Sequence, residues 1–210
     1  MQQSNTVHPA RLSVDYPDRE LNRGTTFFRL FAAIPIILVL ASVSGWTWQA
    51  GYENGKDAAA AGGLLFLGPL LMILFRQKYP RWWFDFNLQL TRFSTRVCAY
   101  LALMSDRYPS TDEEQSVHLE LDYPDVKSDL NRWLPLVKWF LAIPHYIVLL
   151  FLGIAAVFAV MFAWFAILFT GRYPRGIFDF VEGVMRWGLR VQAYAMLLVT
   201  DRYPPFRLAA

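Results

Sequence analysis

One uninterrupted apolar run, residues 134–170, constrains the fold more than any other feature of the sequence. The run contains no Asp, Glu or Arg, and Lys138 and His145 are its only basic side chains. About 20 apolar residues are enough for a helix to cross a bilayer, and this run is nearly twice as long. Only 18% of the 210 residues are charged, against about 25% in a soluble domain. The sequence therefore predicts an integral membrane protein.

An internal repeat organises the rest of the chain, and such repeats are read before individual elements. Motifs recur in the same order: VDYPD at 14–18 and LDYPD at 121–125, LNR at 21–23 and 130–132, AIP at 33–35 and 142–144, LFRQKYPRWWFDF at 74–86 and LFTGRYPRGIFDF at 168–180, and SDRYP at 105–109 and TDRYP at 200–204. The offset falls from 109 at AIP to 94 at FDF, so the first unit carries 15 extra residues between its apolar segments. We predict two tandem units, at 11–110 and 117–206.

Each unit is predicted to contain a short strand, two transmembrane helices, an interfacial amphipathic helix and a terminal strand. The spans fall at about 27–44 and 58–75, and at about 134–150 and 152–169. Because residues 46–57 resemble a loop, the second unit is expected to turn at the matching place, near Gly153. A re-entrant hairpin that stops short of the far side is the alternative there.

Strands are predicted on the aqueous side. Apolar residues alternate before each DYP motif, and the segments that end in DRYP also look extended. These four segments would form a small cytoplasmic β element. The predicted fold class is thus a mainly α integral membrane protein with two parallel repeats.

The amphipathic helices are predicted at about 81–100 and 175–195. Charged side chains recur there every three or four positions, which places them on one helical stripe. Their cations would contact the phosphates of anionic lipids at the inner leaflet. Ordinary i,i+4 ion pairs within each helix are the alternative. The predicted headgroup-binding residues are Arg29, Lys138, Arg81, Arg92, Arg96, Arg175, Arg186 and Arg190.

Basic residues predict the orientation. With two spans per unit, all but one of the 20 Lys and Arg residues fall on the same side, and Lys56 is the exception. Basic segments near spans remain cytoplasmic. We therefore expect a multi-pass protein of the bacterial cytoplasmic membrane with both termini in the cytoplasm.

His145 is a possible intramembrane polar site, because ionisable groups at membrane depth often serve function. Ile36 occupies the matching place in the first unit, so a symmetric pair of ligands is excluded. A neutral packing histidine is the competing interpretation. The sequence contains no HExxH, CxxC, phosphate-loop or GxSxG motif, so no catalytic residue, metal or cofactor is predicted.

The duplicated DYP, (K/R)YPRxxFDF, RVxAY and (S/T)DRYP pattern resembles a bacterial membrane family known only as a domain of unknown function, DUF4389. The resemblance covers nearly the whole chain as two copies. The second copy departs from the first where Gly176-Ile177 replaces Trp82-Trp83. The resemblance implies the topology and no activity.

Three functions are compatible with these features. The first is a non-enzymatic scaffold or accessory subunit of a membrane complex, bound to anionic lipid and assembled as a homo-oligomer or with partners. The alternative is a passive channel or lipid-handling pore between repeats or protomers. A headgroup-modifying enzyme that uses Asp85 and Asp179 is the weakest of the three. Nucleic acid is not expected as a partner, because the basic residues flank apolar spans.

Overall fold

The computed structural model describes residues 8–18, 20–44, 68–111 and 113–209. The chain is mostly helical, with one two-stranded sheet in the described part. The elements are β1 (Ala10–Val14), α1 (Arg23–Ser44), a π-helical segment (Met72–Arg76), α2 (Arg81–Leu101), β2 (Val117–Leu121), α3 (Val126–Asp129), α4 (Pro135–Leu141), α5 (Ile143–Thr170) and α6 (Arg175–Ala195). The predicted loop at 46–57, and most of the predicted span at 58–75, lie outside the described residues.

Strands β1 and β2 form an antiparallel ribbon in which Leu12 faces Leu119. Burial alternates along both strands, because successive side chains point to opposite faces. One face of the ribbon is therefore apolar and packed, and the other is polar and exposed.

The prediction of four strands is wrong for the described residues. Residues 102–110 and 196–204 form turns and irregular backbone after α2 and α6. Leu103 and Leu198 adopt positive φ values of 65° and 57°, which lie outside the β region. This backbone turns each DRYP segment back toward the helices instead of extending it into the sheet.

Helices α2 and α6 lie between the ribbon and the apolar helices. Helix α2 packs on β2 and α1, while α6 packs on β1, α4 and α5. The main buried cluster joins the ribbon to both helices, with Leu12, Leu119 and Phe178 among its members. The chain thus forms three layers, with the polar ribbon at one side and the apolar helices at the other.

The predicted turn near Gly153 is wrong, because α5 runs unbroken for 28 residues. A lone glycine weakens a helix by about 1 kcal/mol, which an otherwise strongly apolar run tolerates. The break falls instead at Ala142, so that Pro144 lies in the first turn of α5, where proline is acceptable. Both ends of α5 lie against α6: His145 bonds to Trp187, and Ile167 shares a buried cluster with Phe178.

Helices α1 and α5 are long and apolar enough to cross a membrane. The structure describes every residue of α5, and its only buried ones are His145, Ala163 and Ile167. Large apolar side chains cover its remaining surface. A water-soluble monomer rarely exposes so extensive an apolar patch, which points to a membrane protein.

Gly171 ends α5 in the left-handed conformation, with φ of 76°. A Cβ at this position would lie 3.3 Å from Oε2 of Glu20. We expect Gly171→Ala to lower the free energy of unfolding by about 1 kcal/mol, because alanine is strained where φ is positive. Gln77, at the matching place in the first unit, also has positive φ, so Gln77→Gly should cause no loss. Denaturant titration in mild detergent measures the free energy of unfolding of both variants. Equal stability of Gly171→Ala and the wild type would contradict the expectation.

Candidate functional site

A buried ion pair fixes α1 to the first DRYP segment. Arg29 is only 2% exposed, and its guanidinium contacts the carboxylate of Asp106. The same guanidinium donates to the backbone oxygens of Tyr100, at 3.1 Å, and Ser105, at 2.9 Å. Its Cζ also lies 4.7 Å from the centre of the Tyr100 ring. The charge of Arg29 is therefore neutralised inside the protein, through its two terminal nitrogens.

A second buried pair fixes α4 to the second DRYP segment. Lys138 is 0% exposed, and its Nζ lies 2.7 Å from Oδ1 of Asp201. Nζ also donates to the backbone oxygen of Thr200 at 2.7 Å and lies 5.2 Å from the centre of the Tyr194 ring. Each partner occupies the position that the repeat matches to a partner of Arg29.

Each of the two carboxylates also anchors the polar segment that precedes its helix. Asp106 accepts the backbone N–H of Asn22 at 2.8 Å, and Asp201 accepts that of Asn131. One Asp thus joins three parts of its unit: the lead segment, the apolar helix and the loop after the amphipathic helix.

Arginines of α2 and α6 bond to the outer carbonyls of the ribbon. Arg92 Nε donates to the oxygen of Leu119, and Arg186 Nε donates to that of Leu12, both at 3.0 Å. Glu182 pairs with Arg186 at 2.6 Å and accepts the backbone N–H of Val14. Exposed strand edges invite pairing with other chains, and these side chains occupy part of both edges.

Two further arginines bond to irregular segments. Arg96 donates to the backbone oxygen of Ser110 at 3.0 Å. Arg190 donates to the oxygens of Arg207, at 3.4 Å, and Ala209. Burial, together with the nearby positive charges of Arg207 and Arg186, lowers the pKa of Arg190.

Only two of the eight predicted headgroup-binding cations point outward. Arg81 and Arg175 are exposed, and they form the weak i,i+4 pairs with Asp85 at 4.0 Å and Asp179 at 3.5 Å. Each lies over a tyrosine ring of the other unit, Arg81 over Tyr123 and Arg175 over Tyr16. Lipid binding stays a prediction for all eight, but these two are the best placed for it.

His145 is completely buried in an aromatic cluster. Its Nδ1 accepts the indole N–H of Trp187 at 3.1 Å, so the neutral ring carries its proton on Nε2. Phe206 stacks on the ring with centroids 3.9 Å apart, and Tyr203 lies 4.8 Å away. The contacts favour a packing histidine that holds the C-terminal segment against α5 and α6.

Tyrosines of the YP motifs connect the units. Tyr79 donates its hydroxyl to the oxygen of Leu197 at 2.8 Å, and Tyr173 donates to that of Ala102 at 3.1 Å. Tyr16 and Tyr123 donate in turn to the oxygens of Tyr173 and Tyr79. Burial raises the pKa of Tyr79 and Tyr173 well above the usual range, so both remain protonated donors.

Sequence reasoning missed the roles of Asp106, Asp201 and the four tyrosines. A signal for the aspartates was present, because the repeat matches Arg29 to Lys138 and Asp106 to Asp201. Within the described residues, no group of three or more His, Cys, Asp or Glu side chains is arranged to hold a metal ion. The side chains described above bond to other parts of the same chain.

Comparison with known proteins gives one match. No curated protein and no solved structure is similar to the chain. A family model does match one of the two predicted copies, over a stretch that runs from just before α4 to the aromatic cluster around Phe206. That family is DUF4389, a domain of unknown function, and the match spans residues 133–207.

Proposed function

We propose that the protein is a non-enzymatic, membrane-embedded scaffold or accessory subunit, in which α1 and α5 enter the bilayer. The observation that carries this proposal is the surface of α5, whose apolar side chains remain exposed over nearly its full length. Burying apolar surface contributes about 25 cal/mol per Å². Lipid tails or the apolar helices of other subunits are the surroundings that satisfy such a surface.

The polar ribbon lies on the cytoplasmic side of a bacterial inner membrane, in this proposal. The ribbon and the charged stripes of α2 and α6 lie away from the apolar helices, and two of the stripe arginines, Arg92 and Arg186, bond to the ribbon. The inner leaflet is anionic and attracts basic segments, by about 1 kcal/mol per cation. The exposed Arg81 and Arg175 would lie against its phosphates.

Two copies of one unit build the chain, in this proposal, although the family model covers only the second. The support comes from contacts that recur in matched positions. Arg29 pairs with Asp106 as Lys138 pairs with Asp201, and the ribbon joins matched leucines, Leu12 and Leu119. An approximate twofold axis through the ribbon relates these contacts.

Self-association is the property that tests the scaffold function. The apolar surface of one protomer exceeds what its own fold covers, so neighbouring subunits should share it. Purification in mild detergent, followed by mass measurement corrected for bound detergent, should give a homo-oligomer or a stable complex with a partner. A monodisperse monomer without a partner would contradict the proposal.

Flux across proteoliposomes separates a scaffold from a pore. The scaffold should leave leakage of a small anion, a small cation and a fluorescent lipid at the level of protein-free vesicles. Protein-dependent flux that persists after a second purification step would contradict the scaffold function and indicate a passive pore.

A further inference from the structure

We propose that a basic pocket beside Tyr79 and Pro80 binds the phosphate of an anionic membrane lipid. The pocket has a volume of about 590 Å³ and lies where the π-helical segment ends and α2 begins. Tyr79 and Pro80 form one wall, and residues 123–127, from the polar segment of the second unit, form the other. The inference refines the proposed function, because it rests on contact with the membrane.

The charge of the pocket favours an anion. Arg76, Lys78 and Lys127 line it, with Asp125 as its one carboxylate. Asp125 is the N-cap of α3, and its side chain already accepts the backbone N–H of Lys127 at 3.1 Å. Within the described part of the chain, none of the three cations forms a salt bridge. They are therefore available for a ligand, in contrast to Arg29 and Lys138.

A matched pocket beside Tyr173 has the opposite charge balance among its described lining residues. It is lined by Tyr16, Tyr173 and Arg172, together with the carboxylates of Asp18 and Glu20. Its volume is about 340 Å³. The two pockets have tyrosines at matched positions but differ in the net charge of their described lining residues. The second pocket therefore serves as an internal control that should not bind an anion.

The neighbourhood of the basic pocket favours a lipid over a free phosphate. Met72 lines the pocket, and Leu71 and Phe75 on the same turn are exposed, Phe75 by 69%. A phosphate at the three cations would thus have an apolar surface beside it for acyl chains. Cations next to exposed apolar residues are the recognition pattern of an anionic lipid.

Titration of the full-length protein in neutral detergent tests the site. The probes are short-chain phosphatidylglycerol, short-chain phosphatidylcholine and inorganic phosphate. Calorimetry measures the Kd of each probe. The wild type should bind phosphatidylglycerol at least about tenfold more tightly than phosphatidylcholine or inorganic phosphate. Equal affinity for inorganic phosphate would overturn the lipid as ligand, and equal affinity for the choline lipid would overturn the charge argument.

Variants assign the binding to the pocket. The triple variant Arg76→Gln, Lys78→Gln and Lys127→Gln should raise the Kd about a hundredfold, since it removes all three cations of the pocket. Asp125→Asn should lower the Kd, a gain that misfolding cannot produce. Arg172→Gln, in the matched pocket, should leave the Kd unchanged. An unchanged Kd in the triple variant, or equal losses in the triple variant and Arg172→Gln, would overturn the site.

Oligomer mass and vesicle leakage, measured on the same preparations, separate the two proposals. If binding fails while the protein remains oligomeric and does not leak, only the pocket is wrong. If the wild type is a monomer or forms a pore, the scaffold function is wrong whatever the pocket binds.

Discussion

Asp106→Ala is expected to lower the free energy of unfolding by about 3–5 kcal/mol, because it leaves a buried cation without its counter-ion. Arg29, its partner, is 2% exposed, and a guanidinium cannot lose its proton to escape the cost. The substitution also removes the acceptor for the N–H of Asn22. Denaturant titration of the purified protein in mild detergent measures the loss.

Two controls accompany this prediction. Arg29→Met combined with Asp106→Leu should recover most of the loss, since apolar groups can replace a buried ion pair at little cost. Asp201→Ala, in the second unit, should cost less than Asp106→Ala, because Lys138 can become neutral when it is buried. A loss below about 0.5 kcal/mol for Asp106→Ala, the size of a surface substitution, would show that the buried pair does not hold α1 in place.

Val157→Lys is expected to reduce membrane insertion by about 2.5–3.5 kcal/mol, the cost of a charge at the centre of a membrane helix. Val157 lies midway along α5 and is 63% exposed. If α5 faced water, the same change would be nearly neutral and would improve solubility. The fraction of protein recovered in the membrane after extraction at alkaline pH measures the effect.

Phe169→Lys is the matched control for the charge in α5. Phe169 is also exposed, but it lies one residue before the end of the helix. A lysine there can extend to the headgroups and is also favoured by the helix dipole. Equal recovery of Val157→Lys and Phe169→Lys in the membrane fraction would mean that α5 is not immersed along its length.

Local patterns in the sequence predicted the elements that depend on local periodicity. Alternation before the DYP motifs corresponds to β1 and β2, and helices occupy both segments predicted to be amphipathic. The sequence showed that each of these helices carries a charged stripe. It did not show which part of the protein that stripe faces. Most of its arginines bond to the ribbon and to irregular backbone, because folding places polar carbonyls of one unit beside the helix of the other.

Two predictions failed for physical reasons that a single sequence hides. The turn at Gly153 was carried over from the loop of the first unit, but the second unit lacks those extra residues and any strong helix breaker there. The terminal strands failed because Leu103 and Leu198 adopt positive φ, which leucine rarely does and which tertiary packing imposes. The ion pairs of Asp106 and Asp201 link residues far apart in the chain, so only the repeat could have suggested them.

Depth measurements with spin labels test the central claim most directly, namely that α5 lies in lipid and the ribbon in water. Cys98 would be replaced by alanine and single cysteines introduced at Val157 and at Glu120, which is exposed on β2. In proteoliposomes, the label at 157 should collide mainly with dissolved oxygen, and the label at 120 mainly with a water-soluble nickel complex. Strong collision of the nickel complex with the label at 157 would place α5 in water and contradict the membrane-embedded scaffold.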